Sequence, residues 1–285
     1  MTDTKKGILF MIIASSSFAF MAAMVKLSGG RIPLFQQVFF RNLVMVIFAS
    51  WNLKKNTISI RVAKSNQKAL FLRCLLGFLG VICVFYANNH LALADAKILQ
   101  KLNPFFVIIA AVIFLGERMS LARLLTIVAG FIGAIIVINP TGNIDLFPSL
   151  VGVAAALFGG LAYVLIRRLS GRVDGMVIIF WFSVFSIIAT IPLMALNLVM
   201  PTPREFFYLL MIGVFAAMGQ YFITKSYLTA EASKVTLYDY SGVILSPILG
   251  FLIFSEELKL TTAIGTVIIL ISGVIAARLK DNKKL

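Results

Sequence analysis

Apolar positions in this chain come in long unbroken runs, not in the strict alternation of a half-buried strand or the one-sided stripe of a soluble helix. Ten runs are long enough to cross a bilayer, which takes about 17–25 residues of helix. They lie near 7–27, 35–53, 69–89, 93–114, 121–139, 149–167, 176–197, 206–226, 232–254 and 261–279. None carries the ten-residue dyad pattern of a membrane barrel, so the predicted elements are helical throughout. Turn-forming residues punctuate the gaps at Arg31 to Pro33, Asn139 to Gly142, Ser170–Gly171 and Pro201 to Pro203. No gap exceeds about fifteen residues, which leaves no room for a soluble domain.

Composition agrees. The 285 residues are 60% hydrophobic and 13% charged, with a mean hydropathy of +1.00, against about 45–50% and about 25% for a soluble domain. An apolar excess of that size has to face lipid. The formal charge of +15 would suggest nucleic acid in a soluble protein, but here the basic residues cluster in alternate gaps. Lys5, Lys6, Lys54, Lys55, Arg61, Lys64, Lys68, Arg118, Arg123, Arg167, Arg168 and Arg172 fall on one side, with Arg278, Lys280, Lys283 and Lys284 in the tail. The other side holds Arg31, Arg204 and Lys259. The positive-inside rule then puts both termini in the cytoplasm of a plasma (bacterial inner) membrane, and the charge needs no nucleic acid to account for it.

The opening MTDTKK precedes an apolar run of roughly twenty residues, longer than the about 7–15 of a signal h-region, and reads as a retained first helix. Cys74 and Cys83 share one helix at a separation too long for a disulfide. With His90 the lone histidine and no CxxC or HExxH motif, no metal site and no cofactor are expected.

The two halves resemble each other. HLALADAKIL (90–99) can be laid on YLTAEASKVT (227–236), and FLGERMSL (114–121) on FSEELKL (254–260). Lys97 precedes Glu117 by 20 residues and Lys234 precedes Glu256 by 22. The expected organisation is a first five-helix repeat over 1–142 and a second over 143–285. Five is odd, so the second unit enters the membrane from the opposite side. Such inverted repeats give a route to alternating access.

FRNL (40–43), LRCLLGFLGVICVFYANNHLALADA (72–96), NPFFVIIAAVIFLGERMSLARLLTIVAGFIGAIIV (103–137) and YDYSGVILSPILGFLIFSEEL (238–258) together resemble the drug/metabolite transporter superfamily, in its EamA-like ten-helix group. The second copy departs from the pattern, reading FSEE where a glycine usually precedes the glutamate. The resemblance implies ten helices, two inverted five-helix repeats and a central cavity. It does not name the cargo.

Ionisable groups within the spans are the candidates for chemistry, because each costs about 2.5–3.5 kcal/mol to insert and so faces the protein interior. Lys97, Gln100, Lys101 and Pro104 recur at three- and four-residue steps on one face of helix four, either as a polar stripe on a cavity wall or as lysines held by packing partners. Asp239 is the deepest carboxylate of helix nine, either ion-paired with Lys101 or Lys97, or titrating to couple transport to protons. Arg41, with Gln37 one turn earlier, has the fork to grip a carboxylate or phosphate, or to cap carbonyls between helices. Arg73 reads as a snorkelling residue at the end of helix three. Tyr163, Trp181 and Tyr240 offer stacking or cation–π contact, although aromatic residues also gather at interfaces without a ligand. Glu117 and Glu256 read as residues of short interhelical turns.

No Walker A sequence occurs, so a secondary active transporter or exchanger is expected, with a small-molecule substrate and a proton or counter-substrate as drive. The positive bias of the candidates favours a cargo with a carboxylate or phosphate, an amino acid or nucleotide-like metabolite. A lipid or lipid-precursor flippase is the alternative. A membrane enzyme would need a nucleophile–base pair or paired carboxylates, and a sensor would need an output domain. Neither feature is evident in the sequence.

Overall fold

The computed structural model describes residues 3–115, 120–139, 146–169, 171–229, 238–239 and 241–278. Its helices are α1 (Asp3–Ser28), α2 (Leu34–Lys55), α3 (Lys64–His90), α4 (Leu93–Gln100), α5 (Asn103–Leu115), α6 (Leu121–Ile138), α7 (Leu146–Leu169), α8 (Gly175–Ala195), α9 (Pro203–Thr229), α10 (Ser241–Phe254) and α11 (Leu260–Arg278). No strand occurs among the described residues. Six of these helices, α1, α2, α3, α7, α8 and α9, are long and apolar enough to cross a bilayer by themselves. Three more, α6, α10 and α11, contain shorter apolar segments. The short helices α4 and α5 make the fourth crossing between them, which gives ten among the described residues.

The helix ends follow from local chemistry. Residues with left-handed backbone, Thr57 (φ 55°), Asn139 (φ 44°), Gly171 (φ 73°) and Ser255 (φ 53°), stand just beyond α2, α6, α7 and α10, the conformation that stops a helix and turns its last carbonyls toward new donors. At α8 the Asp174 side chain accepts from the Met176 amide at 2.7 Å, an N-cap.

One expectation needs correction. Residues 93–114 do not form a continuous helix: α4 stops at Gln100 and α5 starts at Asn103. Pro104 has no N–H for the Gln100 carbonyl, and its ring would collide with that carbonyl in an unbroken helix. The stripe drawn through Lys97, Gln100, Lys101 and Pro104 is therefore cut, and Pro104 is exposed. Of the ninth crossing, 232–237 and 240 lie outside the described residues; Asp239 stands in a 3₁₀ turn at 238–239, ahead of α10.

The polarity of the molecule is inverted relative to a soluble protein. Ser15, Gln37, Arg41, Asn42, Arg73, Asn88, Lys97 and Lys101 are buried, whereas Ile47, Leu125, Ile188, Ile244 and Phe251 project outward. Apolar outside and ionic inside is the arrangement a bilayer selects.

The helix pairs obey a two-fold rule. The first crossing packs on the eighth (α1 on α9), and advancing both by five gives the third on the sixth (α3 on α7), the next most extensive contact. The pairs α2–α8, α6–α11 and α4–α10 map onto themselves. The α1–α10 contact is matched by α4 and α5 on α7. Because each half makes five crossings, this exchange relates two inverted bundles. Close approach of α6 and α11 rests on Gly133 and Gly265: a Cβ on Gly265 would lie 2.6 Å from the Gly133 carbonyl oxygen and 2.5 Å from Val137 Cγ2.

Candidate transport site

The break in the fourth crossing meets the turn ahead of α10. Lys101, the C-cap of α4, is 8% exposed, and its ammonium pairs with the Asp239 carboxylate at the turn before α10. The same ammonium donates to the Asp239 carbonyl at 3.2 Å. Ser15 of α1 fastens the turn from its other side, donating to the Asp239 carbonyl and accepting from the Gly242 amide at 2.9 Å. Gly242 is required for this close approach, since a Cβ there would lie 2.5 Å from Ser15 Oγ and 3.1 Å from Lys97 Cε. Lys97, one turn before Lys101 and equally buried, holds its ammonium 6.0 Å from the centre of the Phe18 ring. Gln100 between them is half-buried. The Asp239 side chain keeps 31% exposure against 9% for Lys101, so one side of the pair is open.

A second polar cluster lies between α2, α3, α7 and α8. The Arg41 and Arg73 guanidinium carbons stand 5.6 Å and 4.6 Å from the centre of one ring, that of the buried Phe182. Arg41 Nη1 donates to Asn42 Oδ1 at 3.0 Å. Arg41 Nε, Arg73 Nε and Arg73 Nη1 are buried with no hydrogen-bond partner. The Arg73 guanidinium lies back along α3 over Gly77, where a Cβ would collide with Nη1. Tyr163 links the clusters: the charges of Asp239, Arg73 and Arg41 all act on its hydroxyl. Tyr163 is 52% exposed.

Other expected site residues lie elsewhere. Gln37 is fully buried and its amide is used up: it donates to Val25 O at 3.2 Å and Ser28 Oγ at 3.0 Å and accepts from Asn89 Nδ2 at 3.0 Å. It clamps α1, α2 and α3 together. Trp181 donates its indole N–H to the Ile60 carbonyl at 2.9 Å, tying α8 to the α2–α3 connection at the end of the bundle. Tyr240, Glu117 and Lys234 lie outside the described residues.

Sequence reasoning missed a latch at the end of the bundle where α1 finishes. Ser255 turns the chain so that the Glu256 amide reaches back to the Gly250 carbonyl at 3.1 Å. The Glu256 carboxylate then pairs with Lys26 of α1 and accepts from the Leu93 amide of α4 at 2.9 Å. Lys26 also donates to Leu91 O at 2.6 Å. At the same end Arg31 pairs with Glu205 at 3.0 Å, and Gln36 bonds Val199 in both directions at 2.8 and 3.3 Å. These ties join the first half to the second. The missed Arg73 left one signal in the sequence, the glycine one turn after it.

The EamA-like transporter family model matches residues 5–139 and again 146–278. The chain is 32% identical over 281 residues to the pseudopaline exporter CntI of Pseudomonas aeruginosa, covering 98% of each protein. It is 29% identical over 259 residues to a riboflavin transporter of Brucella anthropi, covering 86% of this chain and 89% of that one. A solved crystal structure shares the fold with a TM-score of 0.66 at 18% identity, over 95% of this chain and 96% of the other. Two matches of one family model over nearly the whole length, on a bundle with an ionic interior, leave one reading: this chain belongs to the EamA-like transporter family and is a membrane transporter of small metabolites, not an enzyme.

Proposed function

We propose that the chain is a secondary active transporter or exchanger that moves a small polar metabolite, an amino acid or a nucleotide-like compound, across the plasma membrane by alternating access. The observation that carries this reading is the Lys101–Asp239 pair, where the break between α4 and α5 meets the turn ahead of α10, one from each half. Backbone groups left without helical partners and an ion pair open on one side are what a polar solute can engage in place of water. The repeats, 1–142 and 143–285, exchange conformations about this point, and both termini face the cytoplasm. With that orientation the Lys26–Glu256 and Arg31–Glu205 ties close the outer end, and the cycle has to break them. A gradient of protons or a counter-substrate supplies the drive. Full-length likeness to an exporter makes outward movement the direction to test first.

Purified protein in liposomes, preloaded with one metabolite and challenged with unlabelled competitors, tests the proposal. Competition by a subset of amino acids or nucleotide-like compounds is expected. Flux that is indifferent to all of them, or absent for all, rejects it.

A further inference from the structure

The Arg41–Arg73 cluster is electrostatically incomplete. Two guanidinium groups are buried on one ring, and they repel each other. Besides each other, the ionisable groups that bear on them among the described residues are Tyr163 and Cys74, both neutral at ordinary pH. The cation–π contact with Phe182 returns only part of what desolvation costs, about 2 kcal/mol when desolvated against several kcal/mol for each buried ion. Three buried N–H-bearing atoms stay unused, and two of them belong to Arg73. Guanidinium nitrogens cannot shed their charge or their donors at physiological pH. Unused charged donors of this kind are the groups an anion engages when it enters the bundle. Arg41 reaches this point from α2 and Arg73 from α3, with Phe182 of α8 as the floor and Tyr163 of α7 at the side, so the cluster draws on both halves.

We propose that Arg41 and Arg73, held on Phe182, form the docking site for an anionic group of the cargo, a carboxylate or a phosphate. The proposal rests on the transport reading for calling the ligand cargo. Arg73 offers Nε and Nη1 as unused charged donors on different sides of its guanidinium, and Arg41 adds Nε, so the anion is held by charge-assisted hydrogen bonds from both arginines. Gly77 is a positioning residue: it leaves the surface of α3 open for the Arg73 guanidinium to lie on. The Lys101–Asp239 pair is a separate polar point, so a cargo bearing an acidic group and a second polar group can be held at both.

The test is thermal unfolding of the detergent-solubilised full-length protein in succinate, inorganic phosphate or chloride at matched ionic strength, with added phosphatidylglycerol as a separate arm. Wild type is expected to be stabilised by succinate or phosphate over chloride. Arg41→Met and Arg73→Met are each expected to weaken the apparent anion affinity by about tenfold or more. Without anion these variants should unfold no earlier than wild type, since each relieves a repulsion. Gly77→Ala keeps both charges yet is expected to lose most of the response. Stabilisation by the soluble anions assigns the site to free metabolites, and stabilisation by phosphatidylglycerol alone assigns it to a lipid headgroup. No anion effect in wild type, or an equal effect in the Met variants, overturns the proposal. Counterflow on the same preparations separates the two readings: transport without anion dependence sinks only the docking site, and anion binding without transport of any metabolite sinks only the transport function.

Discussion

Lys101 and Asp239 are 138 residues apart in the chain, yet they form an ion pair where the broken fourth crossing meets the turn that opens the ninth. Nothing local brings them together. The two-fold exchange of helix pairs does, because it carries the fourth crossing onto the ninth. The pair is a single joint between the halves, and its charges lie where a helix ladder is already interrupted.

Asp239→Asn and Lys101→Met are each expected to cut counterflow by about 10- to 100-fold, because each leaves a charge or a helix end uncompensated. The stability loss should fall below the about 3–5 kcal/mol of a fully enclosed pair, since Asp239 keeps 31% exposure. The exchange variant Lys101→Asp with Asp239→Lys is expected to recover folding more than transport. Thermal unfolding and counterflow on the same samples check this. Full transport in Asp239→Asn would remove the pair from the mechanism.

Glu256→Gln keeps the acceptor for the Leu93 amide but loses the charge that holds Lys26. In a background carrying Cys74→Ala and Cys83→Ala, a cysteine at Ala92 reports on this end. Membrane-impermeant maleimide is expected to label it several-fold faster in the Glu256→Gln variant, because the closed end opens more often. An unchanged rate would mean the latch contributes nothing to closure.

Gly265→Leu drives a side chain into the Gly133 carbonyl and Val137, and has to part α6 from α11. A loss of about 1–3 kcal/mol or more is expected from overpacking of this kind, read as a lower unfolding temperature in detergent. Gly30, with open space around it, tolerates substitution by alanine with no measurable change and serves as the control.

Trp181 and Tyr163 are both aromatic and both exposed in part, but they predict opposite outcomes. Trp181→Phe loses one hydrogen bond to Ile60, worth about 0.5–1.5 kcal/mol, and is expected to transport within about twofold of wild type. Tyr163→Ala removes a ring that Arg41, Arg73 and Asp239 all act upon, and is expected to reduce flux by about tenfold or more. Initial rates of counterflow distinguish the two.

Much of the fold was legible in the sequence because length and apolarity alone decide what crosses a bilayer. The site was less so. The break after Gln100 was marked by Pro104, but the apolar residues around it masked the interruption. Gln37 and Arg41 share a helix face, and only three-dimensional context shows that Ser28, Val25 and Asn89 saturate the first while the second keeps a free nitrogen. Arg73, nine residues from the start of α3, has the position of a snorkelling arginine. Gly77 and Phe182 direct it inward instead, and the second of these is far away in sequence. Trp181 had equal claim to an interface or a ligand, and the Ile60 carbonyl answers its indole N–H.

The proposed transport cycle requires a polar space between the two halves that opens to each side of the membrane in turn. Tyr163→Cys, with Cys74→Ala and Cys83→Ala, reports on that space: sealed inside-out and right-side-out vesicles are treated with membrane-impermeant maleimide. Labelling from both sides is predicted, with a transported metabolite shifting the two rates in opposite directions. Labelling from neither side, or from one side alone whatever metabolite is present, would rule that cycle out.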